Sequence, residues 1–155
     1  MRVWRLCRRA HAAFDGEGAR RFGGRWSQRG TAVVYVSATA SLAALEYFVN
    51  LDVEDAPRDL VLIPTDVLES LTVEEVRLET LPSDWRRAPP PEALARLGTE
   101  WARQRRSPVL SVPSAVVPLE RNYLLNPNHR AIASIVVGRP APFALDPRLW
   151  KVRRR

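Results

Sequence analysis

Several residue types that build common catalytic and structural centres are scarce in this sequence. Its 155 residues hold one cysteine, Cys7, and two histidines, His11 and His129. A single cysteine excludes a disulfide within the chain and fits a reducing compartment, with Cys7 packed inside a first strand. So few soft ligands argue against a zinc site, and no metal is expected. A Ser-His-Asp triad would have to recruit one of the two histidines, and no Gly-x-Ser-x-Gly elbow is present. His129, in "NPNHR", reads as a turn residue bonded to backbone. No apolar run approaches the roughly 18 residues that span a bilayer. The opening "MRVWRLCRRA" lacks the apolar centre of a signal peptide. A cytoplasmic protein without membrane contact is the expectation.

Lysine is nearly absent too: 23 of the 24 basic residues are arginine, and the net charge is +7. The charge is uneven. Residues 1 to 30 carry eight arginines and two acids, whereas residues 31 to 70 carry one arginine and seven acids. The basic segment coincides with a glycine-rich run, so a local anion site explains the asymmetry about as well as a nucleic-acid surface does. No helix-turn-helix pattern, zinc-finger spacing or aromatic RNA-binding strand accompanies the charge, and direct nucleic-acid contact is not expected. A basic nucleic-acid-binding or RNA-cleaving protein stays as the alternative.

What is present describes a globular domain. Apolar residues make up 46% and charged residues 26% of the chain, enough for one domain over residues 1–155 with a core of its own. "RVWRLCR" (2–8), "TAVVYVS" (31–37) and "DLVLIPTDV" (59–67) read as strands, the last with Pro64 marking an end or an edge. "VEEVRLET" is a fourth candidate. "SLAALEYFVNL" reads as a helix capped by Thr39 or Ser41, with Leu42, Leu45, Phe48 and Val49 on one face. "PEALARLGTEWARQRR" is an amphipathic helix opened by Pro91 and buried through Leu94, Leu97 and Trp101. "SPVLSVPSAVVP" is a strand running into a turn, "ERNYLLNPNH" reads as irregular, and "AIASIVV" and "APFAL" read as two final strands. Strands and helices do not alternate regularly. The expected class is therefore α+β, with mixed or antiparallel sheets and a few helices, rather than a doubly wound sheet.

Four of the seven glycines fall in "FDGEGARRFGGRW" (14–26). The run lacks the Lys-Ser/Thr of a phosphate loop, and its spacing fails the dinucleotide fingerprint. Four polar residues stand in apolar or glycine-rich settings. Arg25, after two glycines, either takes a phosphate or carboxylate with its planar fork or stacks on Trp26 beside an acid. Tyr35 sits in a buried strand, as core or as an aromatic wall. Glu46 falls at the border of an apolar helix stripe, where a carboxylate is partly desolvated, as a functional group or as a rim partner of an arginine. Ser114 stands where a strand breaks, as a site hydroxyl or as a turn closure.

Taken together, "WR" near the start, "GEGAR…GGRW", "VVY" followed by "ALE", "DW", "VPSAVVP", "NYLLNP" and "FALDPRL" resemble the RES domain. The likeness runs from about residue 2 to residue 149 with the blocks in family order. RES proteins are toxins of bacterial toxin–antitoxin pairs. The resemblance implies a fold related to the ADP-ribosyltransferases and a site that attacks NAD, which is a substrate and not a cofactor. It places the family's arginine, tyrosine, glutamate and serine on Arg25, Tyr35, Glu46 and Ser114, and a further block on Asn122 and Asn126. Relatives often carry a histidine near the position of Asn50. It also implies a separate Xre-like DNA-binding antitoxin, and leaves a homodimer open.

The residues fit such a substrate. A loop bearing Arg20, Arg21 and Arg25 can offer backbone amides and guanidinium groups to a pyrophosphate. Tyr35 can flank the nicotinamide. Cleavage of the nicotinamide–ribose bond develops positive charge on the ribose, which a carboxylate such as Glu46 stabilises, with Ser114 orienting the ribose or the nicotinamide side. Transfer to water makes the enzyme a glycohydrolase, to phosphate a phosphorylase, and to a protein side chain an ADP-ribosyltransferase.

Overall fold

Alternation along the strands sorts the apolar residues onto two faces of one sheet. The computed structural model describes residues 1–52 and 57–150, so the last five residues of the expected domain lie outside it. Strands β1 (Arg2–Arg8), β2 (Val34–Ser37), β3 (Leu60–Asp66), β4 (Val73–Glu75), β5 (Val109–Pro113), β6 (Arg121–Leu125) and β7 (Val136–Val137) form one sheet in the order β4-β5-β6-β2-β1-β3-β7. A short β8 (Ala141–Pro142) also pairs with β3. β4 and β5 run parallel, and every other pair is antiparallel. Helices α1 (Glu17–Phe22), α2 (Ala40–Phe48) and α3 (Glu92–Gln104) complete an α+β domain, as expected.

Even-numbered β1 residues and odd-numbered β2 residues share a face. That face carries two separate apolar clusters. One joins Trp26, Trp85, Leu94, Trp101, Leu110, Val112 and Leu124 under α3. The other joins Leu6, Ala43, Leu60 and Leu145, with Trp4, Tyr47 and Phe48 packed against it, under α2. The opposite face buries Val3, Val34, Val36, Val109 and Leu125, with Cys7, Val61 and Ile63 alongside. The site described below lies between the two clusters of the first face.

Local chemistry explains the helices. The Thr39 hydroxyl caps α2 by accepting from the Leu42 N–H at 3.0 Å, which satisfies one of the four unpaired amides of the first turn. α3 begins after Pro91, whose missing N–H costs nothing there, and it buries Leu94 and Trp101 completely. The Trp101 indole donates to Ser107 Oγ at 2.8 Å, so its burial leaves no unpaired donor.

Four expectations change. "ERNYLLNPNH" is not irregular: Arg121–Leu125 is the central strand β6, paired on both sides. Its polar residues serve both faces: Asn122 turns toward the cavity, and Arg121 turns to the opposite face, where it donates to Ser111. The buried side of α2 is Leu42, Ala43 and its partly buried neighbours, while Leu45 and Val49 are exposed. The glycine run contains α1 rather than being all loop. Pro64 lies inside β3, where its carbonyl accepts from the Gly138 N–H at 2.8 Å between the short stretches paired to β7 and β8. Its missing donor therefore faces a gap in the ladder.

α3 can approach the turn that carries Trp26 because residue 98 is glycine. A Cβ there would lie 2.0 Å from the Trp26 carbonyl oxygen, which is backbone and cannot swing aside. Gly98→Ala is expected to destabilise the fold by about 2–3 kcal/mol. Gly18, in α1, has nothing within 4 Å of the added carbon. Gly18→Ala is expected to stabilise by about 0.5–1 kcal/mol. Urea unfolding of the two variants checks both signs.

Candidate active site

Between the two apolar clusters lies a cavity of about 790 Å³, within the range of small-molecule sites. Its floor is the sheet: Trp4 on β1, Tyr35 and Ser37 on β2, and Asn122 on β6. Register puts them together, since Ser37 faces both Trp4 and Asn122 across the ladder. α2 supplies Ala43, Glu46 and Tyr47 as one wall, and the Gly23–Trp26 turn with Arg86 and Ala88 supplies another. Arg5 and Val36 also border the cavity, but alternation sends their side chains to the opposite face. There the Arg5 guanidinium donates to the Ala13 carbonyl and stands 5.1 Å from the Phe14 ring centre.

Glu46 is the acid on this wall, and it is held from one side. Its Oε1 accepts from Ser114 Oγ at 2.7 Å and from Asn122 Nδ2. No donor among the described residues reaches Oε2. Ser114 is fully buried and its bonding is complete: it donates to Glu46 and accepts from the Val116 and Val117 amides at 3.1 and 2.9 Å. It is therefore both a turn closure and a support for the carboxylate, and it is not on the cavity wall. Asn122 gives its Oδ1 to the Ser37 hydroxyl at 2.7 Å. Asn50, just past α2, borders the cavity and donates back to the Glu46 carbonyl at 2.9 Å.

Arg25 occupies the tip of a tight turn. The Gly24 and Ser27 backbones bond to each other in both directions, at 2.8 and 3.3 Å. Trp26 goes into the core, and Arg25 reaches across to donate through Nη1 to the carbonyls of Trp85 at 2.7 Å and Arg87 at 3.2 Å. Its Nε and Nη2 have no partner among the described residues. Burial lowers the Arg25 pKa, the Glu46 charge opposes that shift, and nearby Arg86 adds to it. Arginine remains a cation throughout. Arg86 donates to the Ala115 carbonyl at 3.0 Å and adds a second guanidinium to the wall.

Tyr35 joins the floor to this turn. Its hydroxyl accepts from the Trp26 N–H at 3.2 Å and bonds Ser27 Oγ at 2.9 Å. Burial pushes its pKa up to about 12, so it is a neutral hydroxyl at physiological pH. Gly24 lies directly against it, as a Cβ there would be 2.7 Å from the hydroxyl oxygen. The Gly23 and Gly24 amides are used within the protein. These two amides are therefore not free for a ligand.

Arg25, Tyr35, Glu46 and Asn122 converge on one cavity, and Ser114 supports it from behind. Arg20 and Asn126 do not join them. Arg20 and Arg21 both pair with Glu17 at 2.7 Å on the exposed side of α1. Asn126 is buried, donates to the Ala102 carbonyl at 2.9 Å and accepts from the Asn128 amide at 3.0 Å. Four residues from Asn122, it is at the other end of β6, where it fastens α3. Ser37, Tyr47 and Arg86 were not anticipated. Only Arg86 had a sequence signal, as the residue following the "DW" block.

Residues 2–146 match the RES domain family, and the chain belongs to it. A protein named Toxin Res from Yersinia enterocolitica is 34% identical over 152 residues, covering 96% of this chain and 99% of its own. Another Toxin Res, from Photorhabdus laumondii, is 35% identical over 99% of this chain and all of its own. A Prs ADP-ribosylating toxin from Sphingobium sp. is 33% identical over 94% of each chain. Among solved structures, a chain of the M. tuberculosis MbcT–MbcA toxin–antitoxin complex superposes with a TM-score of 0.74 over 96% of this chain and 85% of its own, at 19% identity. The architecture fits the ADP-ribosyltransferase-like fold implied by the sequence.

The contact between Gly24 and Tyr35 predicts coupled substitutions. Gly24→Ala is expected to cost about 1–3 kcal/mol in the wild-type background. In a Tyr35→Phe background the colliding hydroxyl is gone, and the cost should fall by about half or more. A double-mutant cycle by urea unfolding checks this; strict additivity would show that the contact carries no weight.

Proposed function

We propose that this chain is a toxin that consumes NAD by breaking its nicotinamide–ribose bond. The observation that carries the reading is Glu46, a half-buried carboxylate with one oxygen fixed and the other free, on the same cavity as Arg25. The names of the relatives, Toxin Res and Prs ADP-ribosylating toxin, support it.

Leaving-group departure places positive charge on the ribose. A fixed carboxylate stabilises that charge without reorganising, and most effectively in a site shielded from water. In this reading Oε2 of Glu46 faces the ribose, while Ser114 and Asn122 keep the carboxylate from rotating. Arg25 and Arg86 take the pyrophosphate, Arg25 through its unengaged Nε and Nη2. Trp4, Tyr35 and Tyr47 offer ring surfaces to the bases. Ser114 acts as a positioning residue through Glu46, since its hydroxyl has no capacity left for a substrate. The acceptor of ADP-ribose is water, phosphate or a protein side chain. Incubation with NAD, with and without phosphate, and identification of products decides which. An intact NAD pool would overturn the reading, and steep salt-dependent RNA or DNA binding would then favour the nucleic-acid alternative.

The partner we propose is a separate antitoxin, supported by the toxin–antitoxin complex that has this fold. With two guanidinium groups on its wall, the cavity fits a carboxylate-bearing plug. Expression of the chain alone should arrest growth, and co-expression with the antitoxin should relieve it.

Glu46→Gln retains an oxygen for Ser114 and Asn122 to donate to, so the fold should survive. Turnover should fall about 100-fold or more, with NAD affinity changed far less because the ground state carries little ribose charge. Arg25→Lys should lose about 10- to 100-fold in NAD affinity, nearly as much as Arg25→Ala, because lysine cannot both hold the Trp85 carbonyl and present a fork. Dissociation constants, turnover and melting temperatures of the three variants check these outcomes.

A further inference from the structure

Asn122 can hold Glu46 only in one of its two amide orientations. With Nδ2 toward the carboxylate, it donates to Oε1. Flipped, its Oδ1 would face Oε1, and two acceptors would repel at hydrogen-bond distance. The Ser37 hydroxyl bears on the other end of the amide, at 2.7 Å from Oδ1. A hydroxyl can donate or accept, so it would tolerate either orientation. Glu46 sets the polarity, and Ser37 then supplies the proton that Oδ1 needs. Without it, Oδ1 loses the one hydrogen bond it accepts among the described residues.

The arrangement comes directly from the sheet. Ser37 and Asn122 are facing residues of β2 and β6, so their side chains leave the same face side by side. Ser37 is the last residue of β2, and the cap of α2, Thr39, follows two residues later. The strand that places Ser37 thus also launches the helix that carries Glu46.

We propose that Ser37 is a positioning residue for the reaction: by donating to Asn122 it locks the amide that orients the Glu46 carboxylate. The proposal rests on the NAD-cleaving function proposed above. It predicts a defect in turnover rather than in binding, because the relay touches the group that meets the developing charge and not the groups assigned to the pyrophosphate.

Two measurements test it. In NAD turnover, Ser37→Ala should lower kcat about tenfold with KM within about twofold. Ser37→Thr, which keeps the hydroxyl on a β-branched side chain suited to a strand, should recover most of the loss. Unchanged kcat in Ser37→Ala, a loss confined to KM, or no recovery with threonine would each overturn the proposal. The second measurement needs no turnover. In nitrogen-15-labelled protein, the Asn122 side-chain amide should exchange slowly with solvent in the wild type and markedly faster in Ser37→Ala, while the Asn126 amide stays unchanged. Equal Asn122 exchange in the two proteins would overturn the lock. If the wild type leaves NAD intact, the function reading fails on that result, and the exchange comparison alone decides whether Ser37 orients Asn122. Should Ser37→Ala not fold, Ser37→Cys, a weak donor of similar size, takes its place with the same expectations.

Discussion

The geometry of this domain turns on one carboxylate oxygen, Oε1 of Glu46. It accepts from a hydroxyl 68 residues away and an amide 76 residues away. These contacts tie α2 to the end of β5 and to β6, elements that have no local reason to meet. The docking has a second fastening. Thr39, the cap of α2, donates to Glu120 at 3.1 Å, and the Glu120 carbonyl accepts from the Ser114 amide at 3.0 Å. Thr39 and Glu46 are seven residues apart, two helical turns, so both lie on the side of α2 that faces the turn after β5. The helix is pinned to that turn at its beginning and near its end. An isolated nine-residue helix would be marginal, so the pins and the apolar contacts of Ala43, Tyr47 and Phe48 are what define it.

The other wall is built on a different principle. Tyr35 reaches up from β2 and uses its hydroxyl to hold the Trp26 amide and Ser27, and Gly24 is small enough to lie across it. Trp26 then anchors the turn in the larger apolar cluster, where Gly98 lets α3 close over its carbonyl. Arg25 is left at the tip, aimed across the cavity at the 85–87 backbone. Two strand residues two apart, Tyr35 and Ser37, thus organise the cationic wall and the acidic wall respectively. Both walls are tied to one central strand. That is the kind of support a site needs when a shift of about 1 Å is costly.

Much of this was legible in sequence, and the gaps have physical causes. β1, β2, β3, β5 and both longer helices are marked by alternation or helical periodicity with caps. β6 is not, because "RNYLL" places polar side chains on the very positions where a buried strand would show apolar ones. Once β6 is hidden, so is the register that puts Ser37 beside Asn122. The convergence of Arg25, Tyr35, Glu46 and Asn122 was anticipated through the family blocks. Their partners could not be, since Ser114 and Asn126 look alike in sequence as small polar residues beside prolines and differ only in what the fold brings near them. On α2, Leu45 and Val49 look like core residues because the pattern favours any apolar stripe. The fold buries the narrower face of Leu42 and Ala43, and Leu45 is left exposed.

Part of the charge asymmetry is met by cross-strand pairing. β1 pairs along its whole length with β3, and Arg2 faces Asp66 while Arg8 faces Leu60, next to Asp59. The resulting ion pairs, at 2.8 and 2.9 Å, set arginines of the basic segment against acids of the segment that follows it. Arg20 and Arg21 share the one carboxylate of Glu17, and Arg5 is turned to the opposite face of the sheet. Exposed pairs of this kind add little stability, but they engage four of the eight arginines of the first 30 residues, Arg2, Arg8, Arg20 and Arg21. What remains near the cavity is Arg25, with Arg86 arriving from a different part of the chain. Two glycines have packing reasons of their own: Gly24 lies against a tyrosine hydroxyl and Gly98 against a carbonyl. Within the glycine-rich run, Gly24 lies against the Tyr35 hydroxyl, and the turn it belongs to holds Arg25 at the edge of the cavity.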